Sequence, residues 1–580
     1  MLIHLNTAAG EQLREHWNSR PWNAYPRPQM RRDSWMNLNG IWRFRISHSP
    51  TVPPKANDLE MLSYYPDEIR VPFAPESVLS GIGEHYPEGS WLFYFCRLRV
   101  NERFHRGRLL LHIGAADQLT DVFIDGAHVG SHVGGYEAMC FDITAFYREN
   151  CDLVIRVRDD LRNKALPYGK QTMKRSGMWY TPVSGIWQSV WLESVPERYI
   201  RRLNIENRGA SVTIDVCDPT MRGIVEVSGV GTYRLEKGRV TITPENPQFW
   251  SPENPHLYEF SVTSGVDRVE SYFALRTLEI KNCNGVPRLC LNGKPYFFHG
   301  LLDQGYWSDG IYTPASPGCY ADDILAMKKL GFNTLRKHIK VEPEQFYYDC
   351  DRLGMIVFQD MVNNGDYSYL RDTVLPTIGV QKRNDYHMHT DAAARTAFMG
   401  GMAATVKQLK NHPCILYWTI FNEGWGQFES SAMYDRLRKL DSTRWIDSTS
   451  GWFRGGKTDV ESLHCYFRKF RFKSAPRPVM LSEFGGISYR VDGHVFNTDK
   501  SYGYGKSADL KAYGDRVESM YIDQIIPAAK RGLCGSIYTQ LSDVEEEING
   551  ILTYDRKVCK LNPQQFLQIA QALQEAVSDE

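Results

Sequence analysis

The spacing of apolar residues changes once along this chain, at about residue 277. Before that point, apolar residues occur in short or alternating runs separated by turn residues, as in 109–113 and in 122–124 before Asp125-Gly126. This pattern predicts antiparallel strands. After that point, strand-like runs alternate with helical ones, which is typical of a parallel sheet covered by helices. The chain is therefore expected to join β domains to a later α/β domain.

The part before the change divides into two predicted β domains. Residues 1–195 contain strand-like runs whose spacing is typical of a β-sandwich of the jelly-roll type. Residues 196–278 contain the shorter runs 211–216, 239–242 and 257–262. Strands at this spacing, within a segment of this length, fit an immunoglobulin-like β-sandwich.

Eight strand-like runs follow in residues 279–580, namely 296–299, 333–336, 355–359, 415–421, 444–447, 460–464, 479–482 and 535–539. Helical patterns separate most of them. Two of these patterns, 322–330 and 343–353, end in Leu-Gly, as expected of a helix followed by a C′ glycine. The segment therefore predicts a (β/α)8 barrel. A doubly wound sheet is the alternative, but no Gly-x-Gly-x-x-Gly motif follows an early strand.

Charge and hydropathy argue against several classes of partner. The 580 residues include 68 basic and 68 acidic side chains, so the broad cationic surface that nucleic acid or an anionic membrane requires is not expected. No apolar stretch is long enough to predict a transmembrane helix. The first residues, MLIHLNTAAG, do not resemble a secretory signal. We therefore expect a cytoplasmic protein, with a secreted or periplasmic protein whose signal has been removed as the alternative.

Neither metal nor cofactor is predicted. The twelve cysteines include no C-x-x-C pair, so they are expected to be free thiols. His387 and His389 lie near Asp391, but on a polar stretch without the helical spacing of a metal site.

In a barrel of this kind the functional side chains lie at the C-terminal ends of the strands. Here those positions carry carboxylates, imidazoles, a guanidinium and aromatic rings, namely His299 to Asp303, Arg336, His338, Asp360, Asn422, Glu423, Asp447, Ser448, His464, Tyr466, Glu483, Tyr538 and Gln540. Neither a serine nucleophile elbow nor a glycine-rich phosphate loop is present, which argues against acyl and phosphoryl transfer.

Two glutamates each follow a buried strand. Glu423 comes after the apolar run 417–421, and Glu483 comes directly after 479–482. Cleavage of a glycosidic bond requires two carboxyl groups, one protonated to donate to the leaving oxygen and one ionised to attack the anomeric carbon. For either glutamate alone a structural ion pair is the simpler explanation. Two such residues at strand ends favour catalysis.

The order of motifs along the chain resembles glycoside hydrolase family 2, which contains β-galactosidases, β-glucuronidases and β-mannosidases. The resemblance depends on Asn422-Glu423 after strand 4, Glu483 after strand 7, and the order sandwich, small sandwich, barrel. Further segments resemble the sugar-binding domain of the family, namely YPRPQ at 25–29, LNGIW at 38–42, GGY followed by FDIT within 134–144, and SGIW at 184–187. Together they cover most of the chain.

This resemblance implies a retaining exo-β-glycosidase, with Glu423 as general acid/base and Glu483 as nucleophile. It also implies that Asn422 binds the sugar 2-hydroxyl, that Arg336 keeps the nucleophile ionised, and that Tyr466 donates to it. The predicted substrate-binding residues are Asn422, Arg336, His338, Asp303, Asp360, Trp425 as a stacking platform, His464, Tyr466, and Tyr538 in place of a strand-8 tryptophan.

Departures from the family pattern bear on the sugar. The β-glucuronidases of the family carry an Asn-x-Lys element whose lysine meets the substrate carboxylate, whereas the matching segment here is Glu547-Ile548-Asn549. Without that lysine, and with acidic residues 545–547 beside the mouth, a uronic acid is expected to be repelled. We therefore expect a neutral β-galactoside, with a β-glucuronide, β-mannoside or arabinoside as alternatives.

Two other classes of function remain open. A non-catalytic carbohydrate-binding homologue would keep the sandwiches and the aromatic residues, but it would not require both glutamates. An endo-acting polysaccharide hydrolase would require an open cleft. In each case the partner is a carbohydrate, and the resemblance allows a homo-oligomer without identifying an interface.

Overall fold

Two antiparallel sheets packed face to face form the first domain in the computed structural model, which describes residues 1–55, 57–87, 89–380 and 384–578. In spatial order, the larger sheet contains Asp67–Val71, Gly40–Ser47, Trp91–Leu98, Cys151–Arg158, Leu119–Ile124 and Ala127–Val133, and the smaller contains Trp35–Asn37, Val190–Val195, Arg108–Ile113 and Met139–Asp142. Alternate residues of both sheets, such as Phe44, Tyr94, Leu111 and Ile155, fill the space between them. The predicted sandwich is confirmed.

Short elements surround this sandwich. They are the helices Ala8–Glu15 and Asp58–Tyr64, the 3-10 turns Pro28–Met30, Val78–Ser80 and Glu102–Phe104, and the paired strands Ala116–Asp117 and Gly185–Ile186. Helix Ala8–Glu15 begins after Thr7, whose hydroxyl accepts from the Gly10 amide and donates to Asp309 of the barrel. The N-terminal segment is thereby attached to the last domain as well as to the first.

The second domain is a smaller sandwich, also as predicted. A three-stranded sheet contains Asn204–Arg208, Ser211–Asp215 and Arg239–Ile242, and a four-stranded sheet contains Gly231–Leu235, Gly223–Val227, Tyr258–Ser264 and Asp267–Phe273. Ile214, Val225, Phe260 and Val269 are buried between the two sheets. The alternation of apolar and polar residues along each strand gives each sheet one buried face.

A small sheet of Leu278–Cys283, Val286–Leu291 and Lys294–Pro295 connects the second sandwich to the barrel. The buried Arg288 on this sheet donates to the carbonyls of Ala529 and Leu533, at the start of the last barrel strand. The sheet therefore lies at the N-terminal end of the barrel, opposite the end where the strands finish.

All eight predicted barrel strands are present, in one parallel ladder. In chain order, and here called strands 1 to 8, they are Phe298–Asp303, Thr334–Lys337, Ile356–Asp360, Ile415–Asn422, Trp445–Ser450, Glu461–Cys465, Val479–Gly485 and Leu533–Thr539. Strand 1 pairs with strand 8, and the only break in the ladder lies between strands 5 and 6. Because the strands are buried on both faces, they form the nearly continuous apolar runs seen in the sequence.

Helices cover most of the barrel. They are Gly318–Lys329, Glu344–Leu353, Leu375–Thr377, Ala392–Leu409, Ser430–Leu440, Leu510–Met520, Ile526–Ala529 and Pro563–Ser578, with π turns at Leu370–Val374 and Tyr521–Ile525 and a 3-10 turn at Asp385–His387. The two predicted Leu-Gly ends are present, with Gly331 at φ +81° and Gly354 at φ +73°. The connections 451–460 and 466–478, which flank strand 6 and are fully described, contain no helix.

Two further observations concern the whole described chain. Within the described ranges no helix is both long and apolar enough to cross a bilayer. All twelve cysteines are free, as the sequence predicts.

The first domain also reaches the C-terminal end of the barrel. After its strand Cys151–Arg158, the chain crosses to the barrel, where the Tyr168 amide donates to the carbonyl of Asn363 at 3.1 Å. Farther along, the Thr181 amide donates to the Glu545 carboxylate at 2.9 Å. Side chains of residues 160–181 therefore lie beside the ends of the barrel strands.

Candidate active site

Glu423 and Glu483 meet at the C-terminal end of the barrel. Glu483 lies within strand 7, and Glu423 is the first residue after strand 4. One oxygen of each carboxylate and one ring nitrogen of His464 all lie within 4.8 Å of one another. The sequence separates the two glutamates by sixty positions, and closure of the barrel brings them together.

The backbone at Glu423 is strained. Its φ is +52°, a left-handed conformation that costs a non-glycine residue about 1–3 kcal/mol. The next residue, Gly424, also has a positive φ, and a Cβ there would lie 2.2 Å from the ring of Phe453. The Glu423 amide donates to the Ser450 carbonyl at 2.9 Å, which fixes the turn against strand 5. This turn directs the Glu423 side chain toward strand 6.

Glu483 is held as a carboxylate. Its Oε1 accepts from Arg336 Nη1 at 2.9 Å, and its Oε2 accepts from the Tyr466 hydroxyl. Burial alone would raise the pKa of Glu483, but the charges of His464 and Arg336 outweigh it and place the pKa well below its ordinary value. Glu483 is therefore ionised at neutral pH, as a nucleophile must be.

Glu423 has a different environment. Its Oε1 lies 2.7 Å from His464 Nδ1, and the other ring nitrogen of His464 lies 3.0 Å from Ser450 Oγ. The Glu423 side chain is 17% exposed, against 6% for Glu483, and it has no arginine partner among the described residues. Glu483 is therefore stabilised as an anion by Arg336, whereas Glu423 has the His464 ring as its partner and is the more exposed of the two carboxyl groups.

The same three groups satisfy the distance requirement for a metal site. Arg336, however, already places a positive charge on Glu483 at 2.9 Å. A divalent cation at this position would have to share that carboxylate with the guanidinium, and the electrostatic repulsion disfavours it. The donor set therefore fits proton transfer and nucleophilic attack better than metal binding.

Arg336 organises the floor of the site. It is 1% exposed and donates to Asp360 at 3.0 Å, to Asn422 Oδ1 at 2.9 Å and to the Ser482 carbonyl at 3.1 Å, as well as to Glu483. Asn422 is thereby oriented with its amide nitrogen available. The charge pairing between Arg336 and the predicted nucleophile, expected from the sequence, is present.

We predict that Arg336→Met lowers the free energy of unfolding by about 3–5 kcal/mol, because Asp360 and Glu483 would remain buried without their cation. Urea denaturation followed by tryptophan fluorescence measures the change. The matched control is Arg268→Met, since the Arg268 side chain and its partner Glu226 are 53% and 57% exposed and their pair is expected to contribute about 0–1 kcal/mol. Equal losses in the two variants would contradict the structural role of Arg336.

Comparisons with known proteins agree with this arrangement. Two family models match, one described as the family 2 TIM barrel domain of the glycosyl hydrolases over residues 284–480, and one described as glycosyl hydrolases family 2 over residues 200–276. The second domain and most of the barrel therefore match glycoside hydrolase family 2.

Proteins named as β-glucuronidases and as β-galactosidases are similar in sequence. A putative β-glucuronidase of Formosa agariphila is 22% identical over 437 residues, 69% of this chain and 48% of that protein. A β-galactosidase of Thermoanaerobacter pseudethanolicus is 22% identical over 443 residues, 70% of this chain and 54% of that protein. The chain thus spans about half the length of these relatives.

Solved structures share the family 2 fold over nearly the whole chain. The β-D-glucuronidase of Dictyoglomus thermophilum superposes with a TM-score of 0.71 at 17% identity, covering 96% of this chain and 99% of that one. A β-galacturonidase of Eisenbergiella tayi bound to galacturonate gives 0.65 at 15% identity, with coverage of 96% and 99%. At these identities the likeness shows the fold.

Most of the residues predicted for the site lie together. Arg336 and Tyr466 contact Glu483, and His464 contacts Glu423. Asn422 contacts Arg336. Asp360 and His338 form an adjacent pair, with Asp360 Oδ2 at 2.7 Å from His338 Nδ1. Burial lowers the pKa of His338, which favours its neutral form beside the site.

Three residues predicted to contact the sugar pack against or pair with other protein groups in this structure. Asp303 forms an ion pair with Lys337 at 2.6 Å and accepts from the Gly305 amide, so its carboxylate is occupied. Trp425 is 2% exposed, with the rings of Tyr168 and Trp179 against it at 5.4 and 5.0 Å, so it packs and presents no free face.

Tyr538 is the third. It is fully buried between Phe484 and the helix Leu510–Met520, on the face of strand 8 that points away from the barrel axis. Its neighbour Thr539 faces the site instead, with Oγ1 at 2.9 Å from the Tyr466 hydroxyl. Successive residues of a strand point to opposite faces, so an error of one position exchanges inside and outside.

Sequence reasoning also missed residues of the first domain. Lys170, on the segment that crosses to the barrel, interacts electrostatically with His338 and Glu547. The Tyr180 hydroxyl donates to Glu547, which also accepts from Asn549 Nδ2 at 2.9 Å. No local pattern marks Lys170, because its role depends on where the first domain packs on the barrel.

Proposed function

We propose that this protein is a retaining exo-β-glycosidase that hydrolyses terminal β-linked sugars by double displacement. The observation that carries the proposal is the pair of strand-end carboxylates, whose oxygens approach within 4.8 Å across the barrel. Carboxyl groups about 5–5.5 Å apart are typical of retaining glycosidases, whereas inverting enzymes require about 6.5–9.5 Å to admit a water molecule.

The first step divides the work between the two groups. The ionised Glu483 attacks the anomeric carbon from one face, and a covalent glycosyl ester forms as the bond to the leaving oxygen breaks. Protonated Glu423 donates its proton to that oxygen, so the aglycone leaves as a neutral alcohol. Tyr466 and Arg336, which both donate to Glu483, hold the attacking carboxylate in position.

The second step reverses the roles. Glu423, now ionised, accepts a proton from a water molecule, and the resulting hydroxide attacks the anomeric carbon and displaces Glu483. Two inversions return the β configuration. The contact between Glu423 and His464 at 2.7 Å keeps the carboxyl group oriented in both steps. Asn422, fixed by Arg336, is placed to hydrogen-bond the sugar 2-hydroxyl.

The sequence predicts a neutral β-galactoside as substrate, and a relative named as a β-galactosidase supports that choice. That prediction depends on the absence of a lysine after strand 8, where Asn549 stands in its place. Relatives named as β-glucuronidase and β-galacturonidase, together with Lys170, favour a β-uronide as the second candidate. A β-mannoside and an arabinoside have no specific support. A cytoplasmic location and a homo-oligomer stay predictions.

We predict that hydrolysis of an aryl β-glycoside releases the β anomer of the free sugar first, with the α anomer appearing only as the sugar mutarotates. Proton NMR of the anomeric signals during the first minutes measures this directly. Initial release of the α anomer would contradict the double displacement. No turnover of any aryl β-glycoside would favour the non-catalytic carbohydrate-binding alternative, and cleavage only within polysaccharide chains would favour endo action.

A further inference from the structure

Lys170 is a buried cation without an ionic partner beside the candidate active site. Its side chain belongs to a residue that is only 8% exposed. Over the ranges that the structure describes, its ammonium group forms neither a hydrogen bond nor a salt bridge, and it lies 5.5 Å from the centre of the Trp179 ring. An anion beside a largely buried lysine that lacks an ionic partner is favourable, so this position favours an anionic ligand.

The backbone around Lys170 is built to hold it there. Gly169 has φ +60°, and a Cβ at that position would lie 3.0 Å from the carbonyl oxygen of Ile339, just beyond strand 2. The Lys170 carbonyl accepts from the Tyr180 amide at 3.0 Å, and the side-chain Nε2 of the next residue, Gln171, donates to Asp117 Oδ2 at 2.8 Å. The lysine is thus fixed by both the first domain and the barrel.

The groups that face Lys170 also face the nucleophile. Burial lowers the pKa of His338, and the Lys170 charge adds to this effect while Glu483 opposes it. Burial raises the pKa of Glu547, and there Glu483 adds to the effect while Lys170 opposes it. Lys170 and Glu483 therefore both lie within electrostatic range of His338 and of Glu547.

Glu547 does not neutralise the lysine. It is within range of the Lys170 charge, but the two side chains form no ion pair, since the Glu547 carboxylate accepts from Tyr180 and Asn549 instead. Neutral sugar hydroxyls could accept hydrogen bonds from Lys170 but would leave its charge uncompensated. A carboxylate on the bound sugar would supply both the acceptor and the charge.

The position of Lys170 fits one carbon of the sugar ring. Asn422 is at the end of strand 4, whereas His338 and Glu547, the two groups within electrostatic range of Lys170, follow strands 2 and 8, which lie on either side of strand 1. In a pyranose, C2 and C5 are at opposite corners of the ring. A sugar whose 2-hydroxyl contacts Asn422 therefore directs the substituent on C5 toward the side of the site that carries Lys170.

We propose that Lys170 receives the carboxylate of a uronic acid glycone, so that the substrate of this site is a β-uronide. The inference depends on the proposed glycosidase function and names its substrate class. From the sequence, uronic acids are expected to be repelled, because the segment 545–549 after strand 8 lacks a lysine. The proposal replaces that expectation, since Lys170 of the first domain supplies the positive charge. Lys170 is then a specificity-determining residue contributed from outside the barrel.

The test compares nitrophenyl β-glucuronide, β-galacturonide and β-galactoside on the wild type and on Lys170→Met. We expect the wild type to prefer a uronide, and Lys170→Met to lose roughly 100-fold in kcat/KM on that uronide but only a few-fold on the galactoside, because only the uronide loses a charge partner. Lys170→Arg should retain more uronide activity than Lys170→Met. Lys174→Met, on the same segment but exposed, is the matched control and should resemble the wild type.

A binding measurement separates this inference from the proposed function. Calorimetric titration of free glucuronate and galacturonate into Glu483→Gln should show binding that disappears when Lys170→Met is added. Preference of the wild type for the galactoside, or equal losses on all three glycosides in Lys170→Met, would overturn the inference and leave a glycosidase. If no glycoside is turned over and the uronates do not bind, both the glycosidase function and the role of Lys170 are overturned. If no glycoside is turned over but the uronates still bind through Lys170, the inference survives as a binding function.

Discussion

Glu483→Gln is expected to reduce kcat for an activated aryl β-glycoside by about 10⁴-fold or more, equivalent to roughly 5 kcal/mol or more of barrier height. The amide has nearly the shape of the carboxylate, so Arg336 and Tyr466 keep a partner. It lacks the negative charge and the nucleophilic oxygen that the covalent step needs. The loss should therefore fall on the chemical step while the folded structure is retained.

Release of nitrophenolate under substrate saturation measures this effect, and circular dichroism together with the thermal midpoint verifies folding. Glu461→Gln is the matched control, because Glu461 begins the neighbouring strand 6 at the opposite end of the barrel and pairs with Arg454. It should stay within about two-fold of the wild type, as surface changes usually do. Retention of more than a few per cent of activity by Glu483→Gln would exclude it as the nucleophile.

The positions of the two glutamates could be predicted because each depends on a local feature. A barrel strand is buried on both faces, so it forms an apolar run, and its C-terminal end is marked by the first polar residue. Glu423 and Glu483 were found in this way, and so were Arg336 and Asn422. The closed parallel ladder then brings any such ends together, whatever their separation along the chain.

Which side of a strand faces the axis could not be predicted equally well. The ladder between strands 7 and 8 shifts register between Leu481 and Phe484, an irregularity that interrupts simple alternation. The sequence places Tyr538 inside from its position at the end of strand 8, although Thr539 occupies that face. The apolar run that reveals a strand carries no alternation to correct the error, because both of its faces are buried.

The contacts that site residues make with distant segments of the chain could not be predicted from the sequence either. The carboxylate of Asp303 is compensated by Lys337 on the next strand, and the ring of Trp425 is covered by two aromatic residues of the first domain. Lys170 reaches the site only because the first domain docks on the barrel. These contacts depend on the relative placement of domains, which neither periodicity nor spacing encodes.

Glu423→Ala should distinguish leaving groups by their need for a proton. We expect kcat/KM to fall about 10³-fold for a phenyl β-glycoside, because phenolate is a poor leaving group, and less than about 10-fold for the dinitrophenyl β-glycoside. The comparison must use kcat/KM, which reports formation of the glycosyl ester. Turnover of the dinitrophenyl glycoside at saturation is limited by hydrolysis of that ester, which also loses its base.

The same variant tests the second role of Glu423. Azide is a nucleophile that needs no general base, so adding it should accelerate breakdown of the accumulated glycosyl ester and raise kcat for the dinitrophenyl substrate, with a β-glycosyl azide as product. Glu429→Ala, which removes a nearby carboxylate paired with Arg395, is the control and should respond neither to the leaving group nor to azide. Equal losses on both leaving groups would show that Glu423 is not the acid/base, because a group that only binds the glycone affects every aglycone alike. An α-glycosyl azide as product would contradict the assigned role as well.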